Sequence, residues 1–580
     1  MKHYLFAFWL AVILNSPFAL AEGSASPGAQ TVPAANPQSA TRAAQRSSIA
    51  ATQSSVRNPQ SSLVLEVQRR SAAGAAAREK VTLDPTRTAV VVVDMWDRHW
   101  CVTYTARVAG LVPRMNRTLE ACRKLGMQVV FAPSDVAGFY KDAPQRKAMQ
   151  AVAVVAQAGT SAAPGKGATT TTAPATGAAP TRAAADEKPS VAFNPPGPPG
   201  GRDFCECGPD RPCKGGGVWK RQNPDLKILD ADLIADCNNH RELVALCRRR
   251  QIDTLVYMGV ASNMCVLYRD CGMINMRRFG LRELIVGDLT EAITANGFNP
   301  DTRMADPNFT PAGGSARVLR YIEQTIAPSI QSRQLLASAG MGAAAGDTRP
   351  SVVFVIADDE YKSERTLPAF AKELQKDYRC TFVVADAKSR NDFPGLEALY
   401  DADLLVLSVR RRSPSVPQMD ILEKYIRAGR PIVALRVSIV PFQVAPKDRP
   451  LGHVSWERFD LEVLGCNYRG YDPQARKTGC EVWAEEKAKD HPILAGVQAD
   501  GEPVRFHSPS WNYKLSPLAA GTTVLLWAQW SKDAPIEPAA WTYSHQGGRV
   551  FYTCLGHEGD FAIPQFRRLL RNAIDWAVGG

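Results

Sequence analysis

The sequence predicts an α/β protein made of two Rossmann-like, three-layer α/β/α domains with mainly parallel sheets. Three observations carry this. Short apolar runs rich in Ile, Leu and Val, such as "TAVVVVD" at 88–94 and "IDTLVYMG" at 252–259, read as buried strands closed by polar or glycine residues. Stretches with helical spacing alternate with these runs, which is the order of parallel βαβ units. The bulk numbers are globular: 580 residues, 22% charged and 45% hydrophobic, enough for two to four ordinary domains.

The N-terminus reads as an export signal over residues 1–21. Lys2 supplies a basic region, Tyr4–Leu14 an apolar core, and Ala19-Leu20-Ala21 a small-x-small cleavage site, with Glu22 as the expected mature start. The apolar core is too short for a stable membrane anchor, and no later stretch reaches about 18 apolar residues. Residues 22–79, rich in Ala, Ser, Gln, Pro and Thr at their start, are expected to be a disordered tether. The expected location is therefore periplasmic or secreted. Export permits disulfides, and the odd count of thirteen cysteines leaves at least one thiol unpaired within the chain. Cys205, Cys207 and Cys213 share one turn-rich loop, "CECGPDRPC". A local disulfide is expected there rather than zinc, because the loop has no CxxC pair and no nearby histidine. Net charge is +12, modest for this length. The arginine triplets 248–250 and 410–412 sit where solvated element ends explain them, so no nucleic-acid partner is expected.

The first domain spans 80–332. Its expected strands are 88–94, 128–132, 254–259 and 283–287, and its expected helices 108–124, 239–250, 264–276 and 315–324. A low-complexity insertion interrupts it at 153–203, tolerable because loop-closure cost grows slowly with length. A linker at 333–349 leads to a second domain over 350–580. Its expected strands are 352–358, 380–386, 403–409 and 431–437, followed by "TTVLLWAQW" (522–530) and "GRVFYTCLGH" (548–557). Its last helix, 564–577, starts on Pro564 and carries an apolar stripe of Phe566, Leu569, Leu570, Ala573, Ile574 and Ala577.

The chemistry concentrates at one strand end. In "GVASNMCV" (259–266), Cys265 falls at the first turn of an expected helix, where unpaired N–H groups and the helix dipole favour thiolate over thiol. In an open α/β sheet that rim is where ligands bind. Asp94 ends another strand, and a carboxylate after an apolar run must be hydrogen-bonded, capping or catalytic. Lys220, in "GGVWKRQNPDLKI", is the expected ammonium partner that lowers the thiol pKa, with Lys227 as the alternative.

"VVVVDMWD", "WKRQ" and "GVASNMCV" together resemble the isochorismatase-like cysteine hydrolases over about 80–332. The resemblance implies Asp94 as general base, Lys220 as ammonium partner and Cys265 as nucleophile in cleaving a C–N bond of a small amide through a thioester. It also implies a cis peptide at Val260–Ala261 and an oxyanion hole from the Ala261 and Cys265 N–H groups. The glutamine usual two residues after the aspartate is Trp96 here. Trp96, His99 and Asn263 are candidate substrate-pocket residues; no metal and no cofactor are assigned.

The stretches "EYKSERTLPAF", "HPILAGV", "SPSWNYKLSPL" and "GGRVFYTCLGHEGDFAIPQFRRLLRNAIDWA" look like the ThuA-like (trehalose-utilisation) family, which shares the class I glutamine-amidotransferase-like fold. No cysteine and no GxSxG elbow follow the strand "PIVALR", so glutamine hydrolysis is not expected. Glu360, Arg436 and His557, with His507 and Glu558, are candidates for a polar pocket that takes carbohydrate. The competing reading is a non-catalytic exported protein that binds carbohydrate or partners through two degenerate enzyme folds, as a monomer or homo-oligomer.

Overall fold

Why two sheets form follows from where the β-branched runs end up. The computed structural model describes residues 62–158, 205–207, 213, 217–299, 304–305, 309–342, 347–498 and 504–579. The first sheet contains β1 (Leu63–Arg70), β2 (Ala76–Leu83), β3 (Thr88–Val93), β4 (Gln128–Ala132), β5 (Leu233–Ile234), β6 (Thr254–Val260) and β7 (Arg282–Glu291). A separate ribbon is formed by β8 (Phe298–Asn299) and β9 (Met304–Ala305); β10 (Ser329–Ile330) returns to the first sheet. The order across that sheet is β2-β1-β10-β7-β6-β3-β4-β5. From β10 to β5 the neighbours are parallel, as the βαβ pattern implies. Every residue of β3 and β6 is buried, so these central strands are covered on both faces and read as continuous apolar runs.

The second sheet contains β11 (Ser351–Ala357), β12 (Arg379–Val384), β13 (Leu404–Val409), β14 (Ile432–Leu435), β15 (Cys480–Ala484), β16 (Arg505–Ser508), β17 (Thr523–Gln529), β18 (Glu537–His545) and β19 (Gly548–Thr553). Its order is β12-β11-β13-β14-β19-β18-β17-β15-β16, parallel from β12 to β19 and antiparallel beyond.

The helices are α1 (Val102–Leu125), α2 (Pro144–Ala158), α3 (His240–Arg250), α4 (Cys265–Tyr268), α5 (Met273–Met276), α6 (Pro311–Thr325), α7 (Ser332–Ser338), α8 (Ser363–Ala371), α9 (Val416–Arg427), α10 (Ala475–Thr478) and α11 (Pro564–Val578). The apolar stripe of α11 is buried at all six positions named above. Among the described residues no helix is long and apolar enough to cross a membrane.

Three expectations change. Residues 63–83 are not tether: β1 and β2 pair as an antiparallel hairpin through eight residue pairs, and Leu63, Leu65 and Val67 face the core in strict alternation. The stretch read as linker holds α7, whose Leu335 and Leu336 are fully buried. The single helix expected over 264–276 is broken into α4 and α5, with Arg269 extended at the end of α4 (ψ 163°). Cys271, within this break, forms a disulfide with Cys237. The export signal and most of the insertion lie outside the described residues.

The two halves meet through α1. Arg107, fully buried, donates to Glu206 Oε1 (2.6 Å), to Asp420 Oδ2 (2.6 Å) and to Glu291. Glu291 also pairs with Lys424 of α9. Two turns along α1, Arg114 makes a two-pronged pair with Asp401 (2.6 and 2.9 Å). Burial raises the Glu206 and Asp420 carboxyls above their usual range, against the pull of Arg107. Burial opposes ionisation of Glu291 as well, but the charges of Arg107 and Lys424 override it and hold that carboxyl below the usual range.

Candidate active site

Asp94 follows the last residue of β3 in a left-handed conformation (φ 48°) and is fully buried. Such a backbone is disfavoured for a non-glycine residue and persists only where its surroundings fix it. Ser134, just past β4, does this: its N–H donates to Asp94 Oδ1 (2.5 Å) and its hydroxyl to Oδ2 (2.6 Å). On the other flank of β3 runs β6. Gly259 in β6 has φ 114°, and a Cβ there would lie 2.0 Å from the Val93 carbonyl oxygen. Only glycine allows this approach. It carries the chain through Ala261 (φ 30°) to Cys265, the first residue of α4.

The Cys265 thiol stands beside the Asp94 carboxylate and the Arg269 guanidinium, near enough for each to act on its charge. Arg269, one turn after Cys265, is held by Asp135 Oδ2 (2.8 Å) and Asn238 Oδ1 (2.9 Å). Burial raises the Asp94 carboxyl to about 6, against the hydrogen bonds from Ser134. Burial, and next the Asp94 charge, push the Cys265 thiol well above the ordinary range; Arg269 opposes them. The resting pair is thus a thiol beside a carboxylate. The expectation of a thiolate near neutral pH does not hold, because α4 is a single turn and the sulfur is buried beside a negative charge.

The other expected residues are placed as follows. Lys220 is exposed, and its backbone N–H donates to Asp97 Oδ1 (3.1 Å). Lys227 is exposed too, with its N–H on Asn116 Oδ1 (2.9 Å). The segment carrying Lys220 bridges Trp96 through Gln222 and turns Gln222 inward and Lys220 outward. The cation at the sulfur is Arg269, which sequence reasoning missed; its i, i+4 spacing from Cys265 was the available signal. The Ala261 N–H donates to the Tyr104 hydroxyl (3.2 Å) and so is already satisfied. Val260–Ala261 is trans; the cis peptide among the described residues is Ser516–Pro517. Asn263 is fully buried and clasps the backbone of Ile293 with both ends of its amide (2.9 and 3.1 Å), a structural role.

Trp96 and His99 belong to an aromatic wall. Trp219 stacks on Trp96 (4.4 Å) and on His99 (5.7 Å), and His99 meets Tyr104 edge-on (5.0 Å). Burial pulls the His99 imidazole down to about 4, so it is neutral and its Nδ1 accepts from the Cys101 N–H (3.1 Å). Trp96 Nε1 and both ends of the Gln222 amide are buried without a hydrogen-bond partner among the described residues. These are donors and an acceptor fit for a polar ligand.

In the second half, Glu360, Arg436 and His557 converge on Tyr361. Arg436 donates to its hydroxyl (3.4 Å), Glu360 stands near it and pairs with Arg410 (3.1 Å), and the His557 ring lies 5.6 Å from the Tyr361 ring. Arg436 ends β14 with φ 40°, and its guanidinium sits 4.1 Å from the Trp511 ring centre and 4.5 Å from that of Tyr361. It donates to the Cys554 carbonyl (2.6 Å). Tyr471 extends the aromatic surface beside Trp511 (5.6 Å). His557 Nδ1 caps the Gly559 N–H (3.1 Å), Glu558 pairs with Lys362 (2.7 Å), and His507 pairs with Glu481 away from this group (2.9 Å).

Cys205, Cys207 and Cys213 are not in disulfides. They gather with Cys101 so that the four sulfurs all lie within 4.8 Å of one another. The expectation of a local disulfide missed Cys101, which the fold brings in from the start of α1.

Comparison with known proteins finds one family model, and it matches the second half. The family model described as trehalose utilisation, ThuA, matches residues 352–577. No curated protein matches. Among solved structures, a ThuA-like protein from Bacteroides uniformis is similar at 17% identity, covering 41% of this chain and 95% of that one (TM-score 0.29). A cysteine hydrolase from Pseudomonas syringae pv. phaseolicola is similar at 15% identity, covering 44% and 95% (TM-score 0.25). An isochorismatase family protein from Burkholderia thailandensis is similar at 16% identity, covering 44% and 97% (TM-score 0.23). The family assignment therefore rests on the second half: residues 352–577 carry a ThuA domain.

Proposed function

We propose that the first half is a thiol hydrolase that cleaves a C–N bond of a small amide. One observation carries this reading: at the carboxyl edge of a parallel sheet, a cysteine thiol stands beside a buried aspartate whose carboxyl burial raises to about 6. As sulfur attacks the carbonyl carbon, the thiol proton passes to Asp94 and the S–C bond forms. Arg269 balances the charge developing at sulfur, and the Cys265 N–H, a first-turn donor of α4, faces the oxyanion. Collapse breaks the C–N bond, and Asp94 returns its proton to the departing amine. Water then attacks the thioester, Asp94 takes its proton, and the thiol is regenerated with release of the acid. Trp96, His99 and Gln222 form the wall against which the substrate sits.

The second half, on this reading, binds carbohydrate on the aromatic surface of Tyr361, Trp511 and Tyr471, with Arg436 and His557 behind it. The chain is exported and begins at Glu22 after cleavage; N-terminal sequencing of secreted protein that still showed Met1 would refute this part.

The test is a screen of small amides with the wild type, Cys265→Ser and Asp94→Asn. Ammonia or amine release, a thioester adduct on the Cys265 peptide, and loss of at least about 1,000-fold in both variants are expected. The alternative, a binding protein, draws on the Ala261 N–H being already taken by Tyr104. It prevails if no amide turns over and Cys265 forms no adduct while the protein stays folded.

A further inference from the structure

Four thiols that meet from distant parts of the chain need a reason to do so. Cys101 is the N-cap of α1 and is fully buried. Cys205, Cys207 and Cys213 come from the segment that returns after the insertion. Each sulfur lies within 4.8 Å of the other three, and Cys101 Sγ and Cys207 Sγ are 3.9 Å apart. A disulfide holds its sulfurs at about 2.05 Å. A tetrahedral ion with metal–sulfur bonds of about 2.3 Å sets its four sulfurs about 3.8 Å from each other. The Cys101–Cys207 pair has the second kind of spacing, and the other sulfurs lie close enough, within 4.8 Å, to draw in around one ion. Fused iron–sulfur clusters hold their cysteines further apart than a single ion does, so the spacing fits one metal atom.

The surroundings fit thiolates. The Glu206 N–H donates to Cys101 Sγ (3.3 Å), the Val102 N–H donates to Cys213 Sγ (3.4 Å), and Thr103 Oγ1 lies 3.2 Å from Cys207 Sγ. N–H groups aimed at sulfur are outer partners that orient and stabilise metal-bound thiolates, while the Cys213 thiol, which donates to the Trp100 carbonyl (3.2 Å), must give up that proton to bind a metal. We propose that Cys101, Cys205, Cys207 and Cys213 bind one zinc ion as a structural four-thiolate site. With all four positions filled by sulfur, no place is left for water or substrate, so the site is not catalytic. Binding releases the thiol protons and leaves four Zn–S bonds; no electron is transferred.

The site also has a task. Cys205 and Cys207 flank Glu206, whose carboxylate reaches Arg107 (2.6 Å) and accepts from the Thr294 N–H (3.1 Å). Zinc fixes the backbone on both sides of Glu206 and thereby holds that carboxylate in the seam between the two halves.

The experiment uses full-length protein. Elemental analysis should give close to one zinc per chain, and a mercurial should release it into a colorimetric zinc indicator. Cobalt exchanged for zinc should show the visible d–d and thiolate-to-cobalt charge-transfer bands of a tetrahedral thiolate site. Cys207→Ser should lose most of the metal and melt several degrees lower, whereas Cys247→Ser, a buried cysteine of α3, should keep one equivalent. Should Cys207→Ser fail to fold, the cobalt spectrum of the wild type still decides. Disulfides among the four cysteines, wild type that takes up neither zinc nor cobalt, or iron as the resident metal would overturn the proposal.

Discussion

β6 and β14 each lie between two parallel neighbours, and their ends present different groups. Both lead into a residue with a left-handed backbone, Ala261 after β6 and Arg436 after β14. After β6, the chain delivers a thiol to a buried carboxylate that can take its proton. After β14, the strained position itself holds a guanidinium locked between Trp511, Tyr361 and the Cys554 carbonyl. One rim presents a proton-transfer pair; the other presents a fixed cation behind aromatic faces. Sheet topology supplies the location in both cases, and the residues placed there differ in kind.

Four measurements break or sharpen this contrast. The largest effect is expected in the seam. Arg107→Met leaves Glu206, Glu291 and Asp420 without their shared cation, and the loss of stability should be about 3–5 kcal/mol, read from urea midpoints. An unchanged midpoint would mean that the halves fold independently and that their rims can be studied apart. Next, Arg269→Met should lower kcat/KM about 100-fold, or about 2.7 kcal/mol, with Arg269→Lys intermediate. A change within twofold would reduce Arg269 to a strap between Asp135 and Asn238. Third, Arg436→Met should cost about 2 kcal/mol of stability through lost cation–π contact and hydrogen bonding, and leave amide turnover intact. If turnover fell with it, the two rims would not be separate. The smallest effect is in pH. Asp94 must be ionised to accept the thiol proton, so kcat/KM should fall about tenfold per unit as pH drops below about 6. A break near 4, the ordinary aspartate range, would remove Asp94 from that role.

The parallel strands were legible because their burial on two faces writes long apolar runs; β3 and β4 begin and end within a residue of expectation. The β1–β2 hairpin was not, because β2, "AAREKVTL", is exposed along nearly its whole length and carries no apolar face to read. At the site, Asp94 and Cys265 were visible as polar residues at strand ends. Arg269 was not, because its role depends on α4 stopping after one turn and on Asp135 and Asn238, each far off in sequence. The four-cysteine group hides for the same reason: Cys101 precedes Cys205 by 104 positions (205 − 101), and no spacing motif survives such a gap.

Seen as a place to cut, the loop after α7 is a poor one, because α1 ties the two halves by charge. Helix α1 belongs to the first half, yet Arg107 and Arg114 spend their charges on Asp420 and Asp401 of the second. A split between 342 and 347 would expose an unpaired arginine face on one product and unpaired carboxylates on the other. The two products would then have to find each other again as a heterodimer through that same seam. A half exchanged for another domain would have to bring carboxylates to meet Arg107 and Arg114, or leave those cations buried without partners.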